Sequence, residues 1–283
     1  MILQIARRFK LCVHNYYKET KIVKKKTKGL ICQILFIVVV VALWEIVASQ
    51  FAKEGNANLF PSFKTIFEKM IWGFTEKDFG GIMIHSLSLM LEGLGIGIVL
   101  AIILSGLSVI SDSFAAVYNM IVSMFDLIPG IALISAIIIF LYGQNDIAIV
   151  ILVIHSVVWP MSRSIIDGFN AVPKLYLEVG QNIGLSPVKL LFGVFIPAAM
   201  PRIFSGIKVG WARAWRGLIS AEMVFGGAGT IGMGYYITQR RDNSDLASIY
   251  ATIIIIIIIG LVVEYGIFRT VENKTFKKWG MTR

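Results

Sequence analysis

Lys208, Arg213, Arg216 and Glu222 lie inside an otherwise apolar stretch, Ile203 to Val224. Ionisable groups at membrane depth are costly and face a bundle interior, a water-filled cavity or an interface rather than lipid. This stretch is therefore where the chain could handle a charged solute. Arg213 and Arg216 are three residues apart and share one helix face, and Glu222 follows further toward the other end. Two readings stand. Arg213, Arg216 and Glu222 line a path for an anion, or they pair structurally, with Glu222 bonded to a cation or to backbone. Lys208 reads as snorkelling to the inner surface, and Trp211 and Trp215 as packing or interfacial anchors.

Groups that make or break bonds are not assembled in the sequence. His14, His85 and His155 stand apart, with no HExxH, GxSxG or GxxxxGK[ST] arrangement around them. His85-Ser86 and His155-Ser156 read as polar packing groups. Gly227-Ala228-Gly229-Thr230-Ile231-Gly232 has the GxGxxG spacing, but no strand precedes it, so it reads as flexible backbone at the end of a helix and not as a dinucleotide site. Cys12 and Cys32 lack CxxC spacing. The chain is expected to carry no catalytic site, no metal and no cofactor of its own.

The elements that must position these residues are membrane helices. Of 283 residues 57% are hydrophobic and only 16% charged, which excludes disordered, disulfide-rich and soluble enzyme classes. The expected fold is all-α, with about six spans: Leu30 to Phe51, His85 to Ile110, Phe114 to Tyr142, Ile147 to Met161, Ile203 to Val224 and Leu246 to Phe268. The third is longer than one span needs and is expected to begin as an interfacial helix and kink at Pro129-Gly130 before crossing, and Trp159-Pro160 to close the fourth. Gly93-x-x-x-Gly97 and Gly206-x-x-x-Gly210 permit close helix approach, within the chain or across a dimer. The run Ile253 to Ile259 reads as a lipid-facing wall.

The formal charge of +10 is concentrated where it argues against nucleic acid as a partner. Arg7, Arg8, Lys10, Lys18, Lys21, Lys24, Lys25, Lys26 and Lys28 all precede the first apolar run, the pattern of a cytoplasmic segment beside anionic lipid. The chain thus divides into a basic N-terminal tail (1–29), a membrane domain (30–268) and a basic C-terminal tail (269–283). Both tails are expected in the cytoplasm.

The longest inner connection, about 163–202, carries helix punctuation. Pro173 precedes a helix-competent stretch, Lys174 to Asn182, which Gly184 stops. Ser186-Pro187 then reads as an N-cap with proline in the first turn of a second short helix ending at Pro197. Leu175, Tyr176, Val179 and Ile183 share an apolar face on the first helix, which lipid or a partner protein must cover. Gly180 within that helix is expected to cost roughly 1 kcal/mol relative to alanine.

Glu178-Val179-Gly180, followed at the proper spacing by Gly184, Val194 and Ile196-Pro197, resembles the EAA loop (EAA-x3-G-x9-I-x-LP) of binding-protein-dependent ABC importer permeases. The two alanines are replaced by Val179 and Gly180, and Leu-Pro by Ile-Pro. His85-Ser86-Leu87, Ile128-Pro129, Gly143, Ala214-Trp215-Arg216, Ala221-Glu222-Met223 and Trp279 extend the resemblance over about 80–280, toward the sulfonate, nitrate and taurine type. The resemblance implies a type I importer fold in the bacterial inner membrane. It further implies a permease homodimer with two ATP-binding subunits that use ATP and magnesium, and an external solute-binding protein. Leu175, Tyr176, Glu178, Val179, Gly180, Gly184 and Pro197 would couple the permease to the ATPase. The implied cargo is a sulfonate, taurine or nitrate-like anion. An uncharged nutrient or vitamin precursor is the alternative, and an ion-gradient-driven carrier is the rival class.

Overall fold

A computed structural model describes the backbone of residues 2–141, 143–226 and 231–275, with side chains described from residue 28 onward except at 135 and 138. The side chains of Arg7 to Lys26, Cys12 and His14, and the whole of Tyr142, Gly227 to Thr230, Lys277, Lys278, Trp279 and Arg283, lie outside what is described. The described elements are helical throughout, without a strand, and the chain divides into two compact units, 1–67 and 68–283.

The first unit contains α1 (Ile2–Lys53) and the start of α2 (Phe63–Glu76). Residues Lys28–Lys53 of α1 are long and apolar enough to cross a bilayer, and their most apolar stretch is entirely unburied, as a lipid-facing helix would be. Its end is tied down by polar contacts. Trp44 Nε1 donates to the Pro61 carbonyl at 3.0 Å, and the Phe63 amide donates to Glu45 Oε1 at 2.7 Å. The Glu45 carboxylate thereby satisfies one of the free N–H groups opening α2.

In the second unit, α3 (Phe79–Ile110), α6 (Asn145–Asn170) and α9 (Ile196–Phe225) form the core, with α6 in the middle. Lipid tails are as apolar as leucine, so membrane helices associate through close packing and not through escape from water. The glycine pairs supply that closeness. A Cβ on Gly93 would sit 2.5 Å from Val153 Cγ1, and one on Gly97 2.9 Å from Val157. From α9, Gly210 approaches Val157 and Gly206 approaches Ser164. Both motifs therefore pack within the chain against α6, with Gly97 and Gly210 converging on Val157.

Three boundaries differ from expectation. The third span is not one kinked helix. It is α4 (Asp112–Phe125) and α5 (Gly130–Phe140), separated by Asp126–Pro129, and neither reaches the roughly 20 residues a crossing needs. Among the described residues five helices are long and apolar enough to span, and the broken pair stands where the sixth was expected. The fourth span does not close at Trp159-Pro160. α6 runs through Pro160 for another ten residues, leaving the Ser156 carbonyl without the amide donor a helix would normally offer.

The second short helix of the loop does not end at Pro197. After α7 (Lys174–Asn182), α8 (Pro187–Leu190) passes through a π-helical turn at Leu191–Phe195 into α9, so that Pro197 lies inside a continuous helical segment just after that turn. The apolar span consequently begins at Pro187 and runs to Phe225.

Short α10 (Met233–Asp242) leads into α11 (Leu246–Leu261), which continues through a second π-helical turn, Val262–Phe268, into α12 (Arg269–Lys274). The isoleucine run is only partly a lipid wall: Ile257 and Ile258 are exposed, whereas Ile255 is buried in the core.

Candidate functional site

The loop motif between α6 and α9 folds as its punctuation predicts. Pro173 is extended at the N-terminus of α7, Gly184 adopts φ +79°, and Ser186 Oγ accepts from the Lys189 amide at 3.4 Å. Leu175, Tyr176, Val179 and Ile183 form the expected apolar face and are exposed by 63, 54, 50 and 70%. Glu178 is exposed beside them. Gly180 behaves differently from its expected role as a weak point. It is buried, and a Cβ there would meet Leu190 Cδ1 at 2.5 Å. Its lack of a side chain lets α7 lie on α8, so its helix-propensity cost is offset by packing.

The span charges separate into different environments. Lys208 does not simply snorkel: its Nζ lies 3.5 Å from Glu264 and 3.7 Å from Glu272. Arg213 Nη1 donates to Asp126 Oδ1 at 2.5 Å, and Arg163 Nε lies 3.3 Å from Asp126 Oδ2. Asp126, at the break after α4, thus ties that break to α6 and α9. Trp211 and Trp215 are buried packing residues with rings stacked 5.9 Å apart.

Arg213 and Arg216 line one cavity of about 280 Å³, bounded by the α4–α5 break, α6 and α9. Asp126, Pro129, His155, Ser156 and Trp159 also line it. His155 was expected to be a packing group, and Trp159 and Asp126 carried no signal of a site in the sequence. Both ring nitrogens of His155 and the indole Nε1 of Trp159 are buried without a hydrogen-bond partner. Arg216, unlike Arg213, forms no ion pair among the described residues.

Glu222 belongs elsewhere. It does not line the cavity and is fully buried, accepting from the Gly234 amide at 2.8 Å through Oε2. Ser86, on α3, accepts from the neighbouring Met233 amide at 2.9 Å. These two contacts satisfy opening N–H groups of α10. Side chains at Gly232 or Gly234 would collide with Glu222, so the described end of the glycine-rich segment is a close-packed socket and not loose backbone.

A polytopic helical chain with an exposed amphipathic helix in its longest loop and a charged cavity between its core helices has the organisation of a transport subunit. The family model for the binding-protein-dependent transport system inner membrane component matches residues 93–275, and the chain belongs to that family. It is a multi-pass membrane permease subunit of an ABC importer.

Named relatives include a bicarbonate transport system permease protein of Synechococcus elongatus, 24% identical over 250 residues, covering 85% of this chain and 88% of the relative. A nitrate import permease protein of Synechocystis sp. is 25% identical over 241 residues, with coverages of 81 and 83%. A putative aliphatic sulfonates transport permease protein of Bacillus subtilis is 25% identical over 260 residues, covering 89% of each chain.

Proposed function

We propose that this permease imports a small anion of the nitrate, bicarbonate or sulfonate kind and is driven through α7 by two copies of an ATP-binding subunit. The carrying observation is the unpartnered apolar stripe of Leu175, Tyr176, Val179 and Ile183, which a protein groove covers at lower cost than water. Glu178 adds a polar contact at the edge of that groove. Gly184 turns the chain into α8, and Pro197 lies in the continuous helical segment leading to α9. ATP and magnesium act in the partner, and an external solute-binding protein delivers the cargo.

Movement of α7 can reach the cavity because Pro187–Phe225 is one helical span that carries Arg213 and Arg216 well beyond the loop. ATP binding closes the partner subunits, displaces α7 and biases the bundle between two openings; the two states differ in the contacts made by α9. Arg163 and Arg213 are 48 and 42% exposed in the single chain. Such charges do not face lipid, which supports a second copy of the chain on this face. The loop and both tails are cytoplasmic in this arrangement.

The substrate reading has two supports, the unpaired Arg216 at the cavity and the relatives' names. Purification of the tagged chain in mild detergent, with Glu178→Arg in parallel, tests the coupling. A P-loop subunit should copurify with wild type and be lost from the folded variant. Transport in vesicles without ATP, with no ATPase attached, would instead indicate a gradient-driven carrier.

A further inference from the structure

The cavity between the α4–α5 break, α6 and α9 holds ring N–H donors that no group in the chain accepts from. Arg216 supplies only donors, the indole of Trp159 one N–H and no acceptor, and a neutral His155 one N–H and one acceptor nitrogen, beside the Ser156 and Ser220 hydroxyls and the Asp126 carboxylate. The Trp159 and His155 nitrogens are buried and unpartnered. Such groups are rare in folded proteins, because an unmet buried donor forfeits its hydration without return, and they commonly mark a place completed by water or a ligand.

The charges define that ligand further. Asp126 is committed to Arg213 and Arg163, leaving Arg216 as the cavity-lining guanidinium without an acidic partner among the described residues. Ile128, Ile131, Ile134 and Leu152 contribute apolar wall. Two guanidiniums, Arg213 and Arg216, and one carboxylate, Asp126, line the cavity and leave one net positive charge, with Arg163 sharing Asp126 from outside the lining. A single negative charge balances the lining, and a second would be desolvated with no lining cation left to meet it.

We infer that Arg216, Trp159 and His155 form an oxyanion-binding subsite within the permease that selects singly charged anions, with Asp126 setting that selectivity by occupying Arg213. This rests on the anion reading above and deepens it: the membrane subunit itself, and not only the delivery protein, discriminates among solutes. No covalent step is involved. The anion exchanges water for the guanidinium and the ring N–H groups, and it leaves when movement of α9 carries Arg216 away from α6.

The test uses the full-length chain with its copurifying subunits in lipid nanodiscs, with Cys12 and Cys32 replaced by serine. Ser220→Cys places a reporter on the cavity wall, and its labelling by an uncharged maleimide is timed in sodium nitrate, methanesulfonate or sulfate at constant ionic strength set with gluconate. Nitrate and methanesulfonate should slow labelling, whereas sulfate should not. Arg216→Gln and Trp159→Phe should each raise the half-protecting concentration about tenfold, as expected for loss of one charge-assisted hydrogen bond. Phenylalanine at 159 retains the ring beside Phe125, whose centroid lies 4.9 Å from that of Trp159, so loss of protection in the labelled, folded variant reports the missing N–H.

Asp126→Asn should allow sulfate to protect. Absence of labelling, equal protection by sulfate in the parent protein, or undiminished protection in Trp159→Phe would overturn the inference. ATPase retention is read from the same preparation. A chain that has lost its ATPase but keeps selective protection contradicts the importer coupling alone, and one that retains the ATPase without protection contradicts the subsite alone.

Discussion

Arg216 and Glu222 stand six residues apart on α9, yet one borders an open cavity and the other fills a closed socket. Around Glu222 the polypeptide has closed on the carboxylate: Gly232 and Gly234 leave it room, the Gly234 amide bonds to Oε2, Oε1 is buried without a partner, and no space for a solute adjoins it. Around Arg216 the walls present donors that nothing in the chain accepts from. The difference separates two uses of a charge at membrane depth. A charge whose partners are all internal fixes the fold, whereas one left facing donors and space awaits something mobile.

The strongest way to break the contrast is to remove the socket. Glu222→Ala leaves the Gly234 amide unmet beside a void and should destabilise the bundle by about 2–4 kcal/mol, the sum of a lost buried hydrogen bond and a large-to-small cavity. Glu222→Gln retains an acceptor and should lose much less. Thermal unfolding of both variants in one detergent measures the difference, and equal melting temperatures for Glu222→Ala and wild type would refute the structural role.

Next in size is the packing that holds both regions in register. Gly93→Val places methyl groups into Val153, where even a Cβ would approach to 2.5 Å. The expected cost is about 1–3 kcal/mol from overpacking. Val153→Ala in the same chain should return part of it, and a double-mutant cycle checks this. Additive effects would mean that α3 and α6 do not meet through these two residues.

How far the sequence disclosed these features depends on whether the signal was local. The α7 loop was legible because Pro173, Gly184 and Ser186-Pro187 act on their own backbone and were seen in those roles. The six-span count and the ends of two spans were less legible. Pro129 opens a separate helix, while Pro160 lies inside a continuous one, and which outcome prevails depends on tertiary packing that meets the freed backbone groups. The cavity was half visible: Arg213 and Arg216 announced themselves by charge in an apolar run. Asp126, His155 and Trp159 come from distant segments, and their convergence is a property of the fold. Glu222 looked like its arginine neighbours because a charge in a span carries no mark of whether its partner is backbone or solute.

A smaller effect concerns the end of the bundle that carries the socket. Lys69 Nζ lies 3.2 Å from Asp245 Oδ2, and the Asp245 side chain caps α11 by accepting from the Ser248 amide. Burial alone would raise the Asp245 carboxyl, but the bonds from the Ser248 hydroxyl and amide, with Lys69, outweigh it and hold the group below the usual carboxylate range. A depressed folded value means that the contribution is fully present above the unfolded value of about 3.9 and is lost as pH falls through the folded one. Asp245→Asn should lower stability at neutral pH by about 1 kcal/mol at most, given partial exposure of the pair. The gap from wild type should close on acidification below about pH 4. A gap that widened there would reverse the sign and remove the charge from the explanation.

The smallest effect on stability should come from the residue with the largest effect on binding. Arg216→Gln removes a charge that makes no ion pair among the described residues, and its fold stability should stay within about 0.5 kcal/mol of wild type, the range of substitutions that break no internal contact. Nitrate protection at the cavity should nevertheless weaken about tenfold. Glu222→Gln, measured alongside, should leave protection unchanged, since its carboxylate lies outside the cavity wall. If Arg216→Gln unfolds the bundle as Glu222→Ala does, Arg216 is a structural charge, and the distinction between a filled socket and an unfilled one on α9 no longer holds.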